Sequence, residues 1–159
     1  MNAVTVEYRM GPPDPVEYME LFETTGWNSR YKVTVEDLSR ALIASWSTVS
    51  AYVSGRLVGF GRTMSDGVLY AVLFDVIVHP VFQRRGIGAE IVNRLIEGCV
   101  AARVRDIQLF SAAGKIHFYE RLGFRARSPE APGMRFQAMV PPVTDSSGTP
   151  KAGPAGRGL

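Results

Sequence analysis

The stretch "VHPVFQRRGIGAEIVNRLIEGCV", residues 78–100, decides how this chain folds. Ile87, Ile91, Val92, Leu95, Ile96, Cys99 and Val100 recur at three- and four-residue spacing, the apolar stripe of a helix lying on a core. Gly86 and Gly88 stand at the mouth of that helix, where each helical glycine costs about 1 kcal/mol relative to alanine. Just upstream, "VLYAVLFDVIV" (68–78) is too short to cross a bilayer as a helix and carries Asp75. It reads as a buried strand. A strand therefore feeds a helix through a short loop rich in glycine and arginine.

The rest of the chain arranges itself around this unit. "VTVEYRM" (4–10) alternates like a first strand, and "GPPDP" breaks it before a short helix with Tyr18, Leu21 and Phe22 on one side. Thr34 opens "TVEDLSRALIAS" as a capping box, with Asp37 in place of the usual Glu or Gln. "STVSAYVS" (47–54) and "RLVGFGRTM" (56–64) meet near Ser54 and Gly55 as a hairpin, and Asp66-Gly67 marks the next turn. "DIQLF" (106–110) is a further strand. Ser111 is the expected cap of a helix through "AAGKIHFYERL", closed by Gly123 in a left-handed conformation with Phe124 after it. "MRFQAMV" (134–140) reads as a last strand. The order of elements predicts an α/β (α+β) fold with a mixed sheet and helices packed on it. The domain is expected over 1–140, and the Pro/Gly/Ser-rich remainder, 141–159, as a disordered tail.

Composition excludes several classes of function. At 159 residues, 46% hydrophobic and 21% charged, the chain is expected to be one ordinary globular domain. Lysine occurs only at Lys32, Lys115 and Lys151, so arginine supplies most of the positive charge. Its planar fork suits phosphate, although a coding bias produces the same excess. Arg84, Arg85, Arg94, Arg103 and Arg105 fall on one helix and its ends without a nucleic-acid-binding motif, and a net charge of +3 is small. A single cysteine permits no internal disulfide, which is compatible with a reducing compartment. The opening "MNAVTVEYRMG" has no apolar leader run, so the expected location is cytoplasmic.

The glycines have a chemical reading. The first N–H groups of a helix point outward unpaired, and with the positive end of the helix dipole they make a ready anion site. Glycine lets oxygens approach main-chain nitrogens that a Cβ would shield. Gln83, Arg84 and Arg85 add donors and charge. The segment thus reads as a pyrophosphate cradle; its alternative is a tight turn packing helix on strand. The lysine of a phosphate loop and the full Gly-x-Gly-x-x-Gly pattern are both missing.

"VIVHPVFQRRGIGAEIV" resembles the Gln/Arg-x-x-Gly-x-Gly/Ala signature of the GNAT N-acetyltransferases, with the Val-x-His-Pro before it. "FYERLGF" (118–124) is similar to that family's later helix motif and lies at a matching distance downstream. "FDVIVHP", "FYERLGF" and "PGMRF" further resemble the branch of small arylalkylamine or serotonin acetyltransferases. The resemblance implies a mostly antiparallel mixed sheet flanked by helices and splayed between its fourth and fifth strands. It implies acetyl-CoA in that opening, with Val76, Ile77 and Val78 along the pantetheine arm. Gln83, Arg84, Arg85, Gly86, Ile87, Gly88 and Ala89 would surround the pyrophosphate. Many members carry an asparagine where the later helix begins; "SAAGKI" has none.

Moving an acetyl group from a thioester to an amine poses two proton problems. An alkyl ammonium with a pKa of about 10.4 is neutral about once in 2,500 molecules at pH 7, a deficit of roughly 4.6 kcal/mol. The departing thiolate in turn wants a proton, which a tyrosine can donate at neutral pH. Tyr119, at the motif's acid position, is the candidate acid; its alternative is a core aromatic. Asp75 is either a base or a buried carboxylate held by hydrogen bonds. His79 could relay protons from its loop, and His117 precedes the motif. With one cysteine and no clustered ligands, no metal is expected. Glu20 and Glu23 could attract a cationic amine or form a solvated face, and Trp27 and Tyr31 could stack an aromatic acceptor or cover the core. The expected partner is a small-molecule amine, with no nucleic acid and no membrane, and a homodimer is left open. The competing readings are a non-catalytic CoA-sensing module and acetylation of a protein amine.

Overall fold

The computed structural model describes residues 5–135. Residues up to Ala126 belong to one compact unit, which carries every described helix and strand. The described part of the second unit, 127–135, is without helix or strand. Apart from Met134 and Arg135, the expected last strand and the tail lie outside the described residues.

Five strands form one sheet in sequence order: β1 (Glu7–Met10), β2 (Ser47–Val53), β3 (Arg56–Ser65), β4 (Tyr70–Val78) and β5 (Asp106–Leu109). The first three junctions are antiparallel. β4 and β5 run parallel, because α4 (Ile87–Ala101) carries the chain back between them. The sheet is thus mostly antiparallel, as expected.

Each face of the sheet has its own core. Tyr18, Leu21 and Phe22 from α1 (Pro15–Glu23) and Leu38 and Leu42 from α3 (Val35–Ile43) close over Tyr52, Leu57, Phe60 and Ile77. On the other face Ile87, Ile91, Val92 and Leu95 of α4 lie on Val49, Ala51, Val58 and Leu73. Cys99 falls on the same helical stripe and is buried, as its spacing predicts.

Local chemistry sets the helix boundaries. The Asp14 carboxylate accepts from the N–H groups of Val16 and Glu17 and starts α1 at Pro15, three residues before its apolar stripe begins at Tyr18. Thr34 and Asp37 make the reciprocal capping box of α3. The segment 24–31 contains a single helical turn, α2 (Asn28–Tyr31). Asn28 stabilises it by accepting from the Val33 N–H at 2.8 Å and donating to Glu23 at 2.6 Å.

Candidate active site

The site begins where the sheet stops being paired. β5 ends at Leu109, opposite Leu73, while β4 continues to Val78. Phe74–Val78 therefore have β3 on one side and no described strand on the other, which is the splay expected between the fourth and fifth strands. The His79 N–H donates to Val58 at 2.8 Å, and Ile77 pairs with Phe60 on that same side. Alternation turns the main-chain groups of Val78 toward the open edge. There the side-chain amide of Gln83 donates to the Val78 carbonyl at 3.0 Å. Ile77 itself is buried beneath α1 and α3, so it carries the edge from behind, whereas Val76 and Val78 lie on the α4 side.

The second component is the start of α4. Side chains cap α1 and α3, but Gly86 gives α4, the longest helix, no side-chain cap. The first bond inside the helix runs from Glu90 N–H to the Gly86 carbonyl at 3.0 Å. The amides of Ile87, Gly88 and Ala89 thus have no partner within the helix. Gly86 has φ 81°, and nothing lies within 4 Å of where its Cβ would stand. Glycine is required there by conformation, and space is left in front of the donors. Arg84 shares the left-handed region at φ 59° without being glycine. Gln83, Arg84 and Arg85 are exposed around the opening, and the Arg85 guanidinium lies 5.6 Å over the Phe82 ring. Ile87 turns its side chain into the core and contributes only main chain.

Gly88 answers a different need. A Cβ there would stand 3.5 Å from both Val78 Cγ2 and Phe118 Cζ, so α4, the end of β4 and α5 (Ile116–Glu120) converge on it. The expected helix from Ser111 is corrected: 111–115 form a turn, and the helix begins only after Lys115. Gly114 at φ 72° and the lack of any side-chain cap explain the late start. Its end is as expected. Gly123 (φ 93°) donates to Glu120 at 3.0 Å and Phe124 to Tyr119 at 3.1 Å, the paired bonds of a Schellman closure.

That closure seats Tyr119 between aromatic neighbours, 4.9 Å from the Phe118 ring and 6.0 Å from Phe124. The ring is half-buried against the α4 side of the core. Burial pushes the phenol above its ordinary pKa, so it holds its proton throughout the neutral range.

Asp75 sits at the break in β4. Its Oδ2 accepts from Arg62 Nε at 2.5 Å and from the Tyr18 hydroxyl at 3.1 Å. Asp75 is therefore not an isolated charge within the sheet. Arg62 is a second one, opposite Phe74 on the neighbouring strand β3, and only the register brings it beside Asp75. Tyr18, expected as a core aromatic, is buried as such yet turns its hydroxyl to the carboxylate.

The remaining candidates lie in simpler surroundings. His79 Nδ1 accepts from the Val81 N–H at 3.3 Å, and Nε2 faces Arg56 at 3.3 Å. His117 pairs with Glu120 at 2.8 Å in solvent. Glu20 and Glu23 are exposed. Trp27 packs edge-on to Phe22 with ring centres 5.8 Å apart, and Tyr31 is exposed. Among the described residues no three His, Cys, Asp or Glu side chains gather as a metal ion would require.

A mixed, mostly antiparallel sheet flanked by helices agrees with the comparisons to known proteins. Residues 23–140 match the acetyltransferase (GNAT) domain family. This chain belongs to the GNAT family. An uncharacterized N-acetyltransferase, ycf52, from Porphyra purpurea is 36% identical over 110 residues, covering 68% of this chain and 63% of its own. The chloroplastic serotonin N-acetyltransferase 2 of Oryza sativa is 38% identical over 122 residues, covering 74% of this chain and 59% of its own. This GNAT chain thus spans about three-fifths of the length of these relatives. Among solved structures, a GNAT acetyltransferase from Streptococcus pneumoniae superposes with a TM-score of 0.70 at 25% identity, covering 86% of this chain and 99% of the other. No described helix of this GNAT domain is long and apolar enough to cross a membrane.

Proposed function

We propose that the chain is an N-acetyltransferase that moves an acetyl group from acetyl-CoA to a primary amine of a small molecule, by direct attack in a ternary complex. One observation carries the reading: the uncapped amides of Ile87, Gly88 and Ala89 open beside the stretch of β4 that β5 leaves free. Donors for a diphosphate and an unpaired strand edge for an extended amide-bearing arm lie next to each other, which is the combination acetyl-CoA requires.

In this reading the main chain of Val76 and Val78 holds the arm along the open edge, with Ile77 anchoring that edge to β3. Arg84 and Arg85 supply positive charge at the mouth, and Gln83 fixes the Val78 carbonyl. The thioester supplies an activated acyl carbon and a thiolate leaving group. Tyr119, protonated at neutral pH, gives its proton to that sulfur as it departs. The small amine class is supported by the resemblance to arylalkylamine acetyltransferases and by the rice relative's name.

The test is titration with acetyl-CoA by calorimetry, followed by release of free CoA thiol in the presence of a panel of amines and lysine peptides. Thiol release that depends on a small amine is the expected result. Binding without release by any acceptor would identify a CoA-binding module instead. Release only with peptides would move the acceptor to a protein amine.

A further inference from the structure

The mid-strand position of Asp75 is unexplained by any cofactor contact. Its φ is 53°, a left-handed conformation that residues with a side chain adopt only under strain. Glycine would adopt it freely, so the carboxylate must do something glycine cannot. The register shows what the conformation achieves. Phe74 pairs with Arg62 and Ile77 with Phe60, so Asp75 and Val76 together oppose Gly61. This β-bulge inserts one residue and reverses the alternation of β4. Upstream of it Leu73 faces α4; downstream Val76 and Val78 do, and Ile77 faces α1 and α3. Without the extra residue Val76 and Val78 would turn to the other face, and the open edge would present the wrong main-chain groups.

We propose that Arg62, Asp75 and Tyr18 form a brace that holds this bulge, so that Asp75 acts in the reaction as a positioning residue and not as the base that deprotonates the amine. The inference rests on the acetyltransferase reading. Arg62 Nε and the Tyr18 hydroxyl converge on one carboxylate oxygen, and Arg62 Nη1 continues to the Ala41 carbonyl at 3.4 Å and Ser45 Oγ at 3.5 Å. The brace thereby ties β3 and β4 to α1 and to the end of α3. Tyr18 is buried, and burial together with the nearby Asp75 charge keeps its phenol protonated and donating. The adjacent Arg62 guanidinium also repels an approaching ammonium, the substrate form that a base would have to meet.

Two double variants of equal charge separate the roles: Arg62→Met with Asp75→Gly, and Arg62→Met with Asp75→Ala. Both remove the carboxylate and its counter-charge, but only glycine takes the left-handed conformation without strain. A brace predicts that the glycine double melts at a higher temperature than the alanine double. It also predicts that the glycine double keeps kcat within about tenfold of wild type, while the alanine double loses roughly 10²-fold, the cost of a misplacement near 1 Å. The acidic limb of the pH–rate profile should persist in the glycine double. Equal loss of turnover in both, or disappearance of that limb, would restore Asp75 as the base. Equal melting temperatures would overturn the brace. Should the wild-type protein bind acetyl-CoA but turn over no amine, the acetyltransferase reading fails, and the order of melting temperatures still decides the brace.

Discussion

A Cβ on Gly61 would stand 2.7 Å from Cγ2 of Ile91 and 3.1 Å from Leu95 Cδ1. A Cβ on Gly59, two residues earlier, would stand 2.9 Å from Ile91 Cδ1 and 3.0 Å from Ile87 Cγ2. The first turns of α4 are thus seated directly on the main chain of β3. Gly61→Ala should destabilise the fold by about 1–3 kcal/mol, the usual cost of overpacking. At roughly 2–4 °C of melting temperature per kcal/mol, calorimetry resolves this readily. Because the displaced element carries the uncapped amides, acetyl-CoA affinity should fall as well. Unchanged melting and affinity would mean that α4 can shift without consequence.

Gly86 predicts the opposite balance. Its Cβ would meet nothing within 4 Å, so Gly86→Val is opposed by the backbone at φ 81° and by crowding of the donors in front of it. Acetyl-CoA binding should weaken by at least tenfold, while the protein stays folded with a melting temperature reduced by only a few degrees. Calorimetric titration of the variant checks this, and wild-type affinity would remove the helix start from the cofactor site.

Tyr119→Phe deletes one hydroxyl and preserves the ring packing against Phe118 and Phe124. As a general acid Tyr119 should be worth roughly 10²- to 10⁴-fold in kcat. KM should move much less, because the interaction matters mainly in the transition state. Burial raises the phenol's pKa, so the proton is lost only above the ordinary tyrosine value of about 10. Any basic limb due to Tyr119 should therefore lie above that pH in wild type and vanish in the phenylalanine variant. Wild-type turnover by the variant would leave water as the donor to the thiolate.

Asp66 offers a check on the turn before β4. Its Oδ1 accepts from the N–H groups of Val68 and Leu69 at 2.8 Å and of Tyr70 at 3.1 Å. These main-chain donors, Val68 first, hold the carboxyl below its ordinary value of 3.8. A depressed folded pKa contributes stability above the unfolded value and loses it as pH falls through the folded one. The turn should loosen only below pH 3.8. NMR titration of the carboxyl carbon should give a midpoint under that value, and Asp66→Asn should flatten this part of the stability profile.

Local signals were sufficient wherever one segment carries its own answer. The α4 stripe, the Thr34–Asp37 capping box, the hairpin around Ser54-Gly55 and the Gly123 closure are contacts within a few residues, so residue spacing alone specifies them. The uncapped start of α4 was legible for the same reason, since Gly86 has no side chain to cap it. What tertiary structure decided depends on which residues face each other across strands. Arg62 and Asp75 are 13 residues apart, and only the hairpin register, shifted by one at the bulge, brings them to 2.5 Å. Tyr18, 57 residues from Asp75, has the burial of a core aromatic, and only the packing of α1 on the sheet turns its hydroxyl to the carboxylate. The need for Gly59 and Gly61 follows from the close approach of α4, which no pattern within β3 records. Periodicity reports the face a side chain takes within its own element; its partner across the sheet depends on register, and one inserted residue changes it.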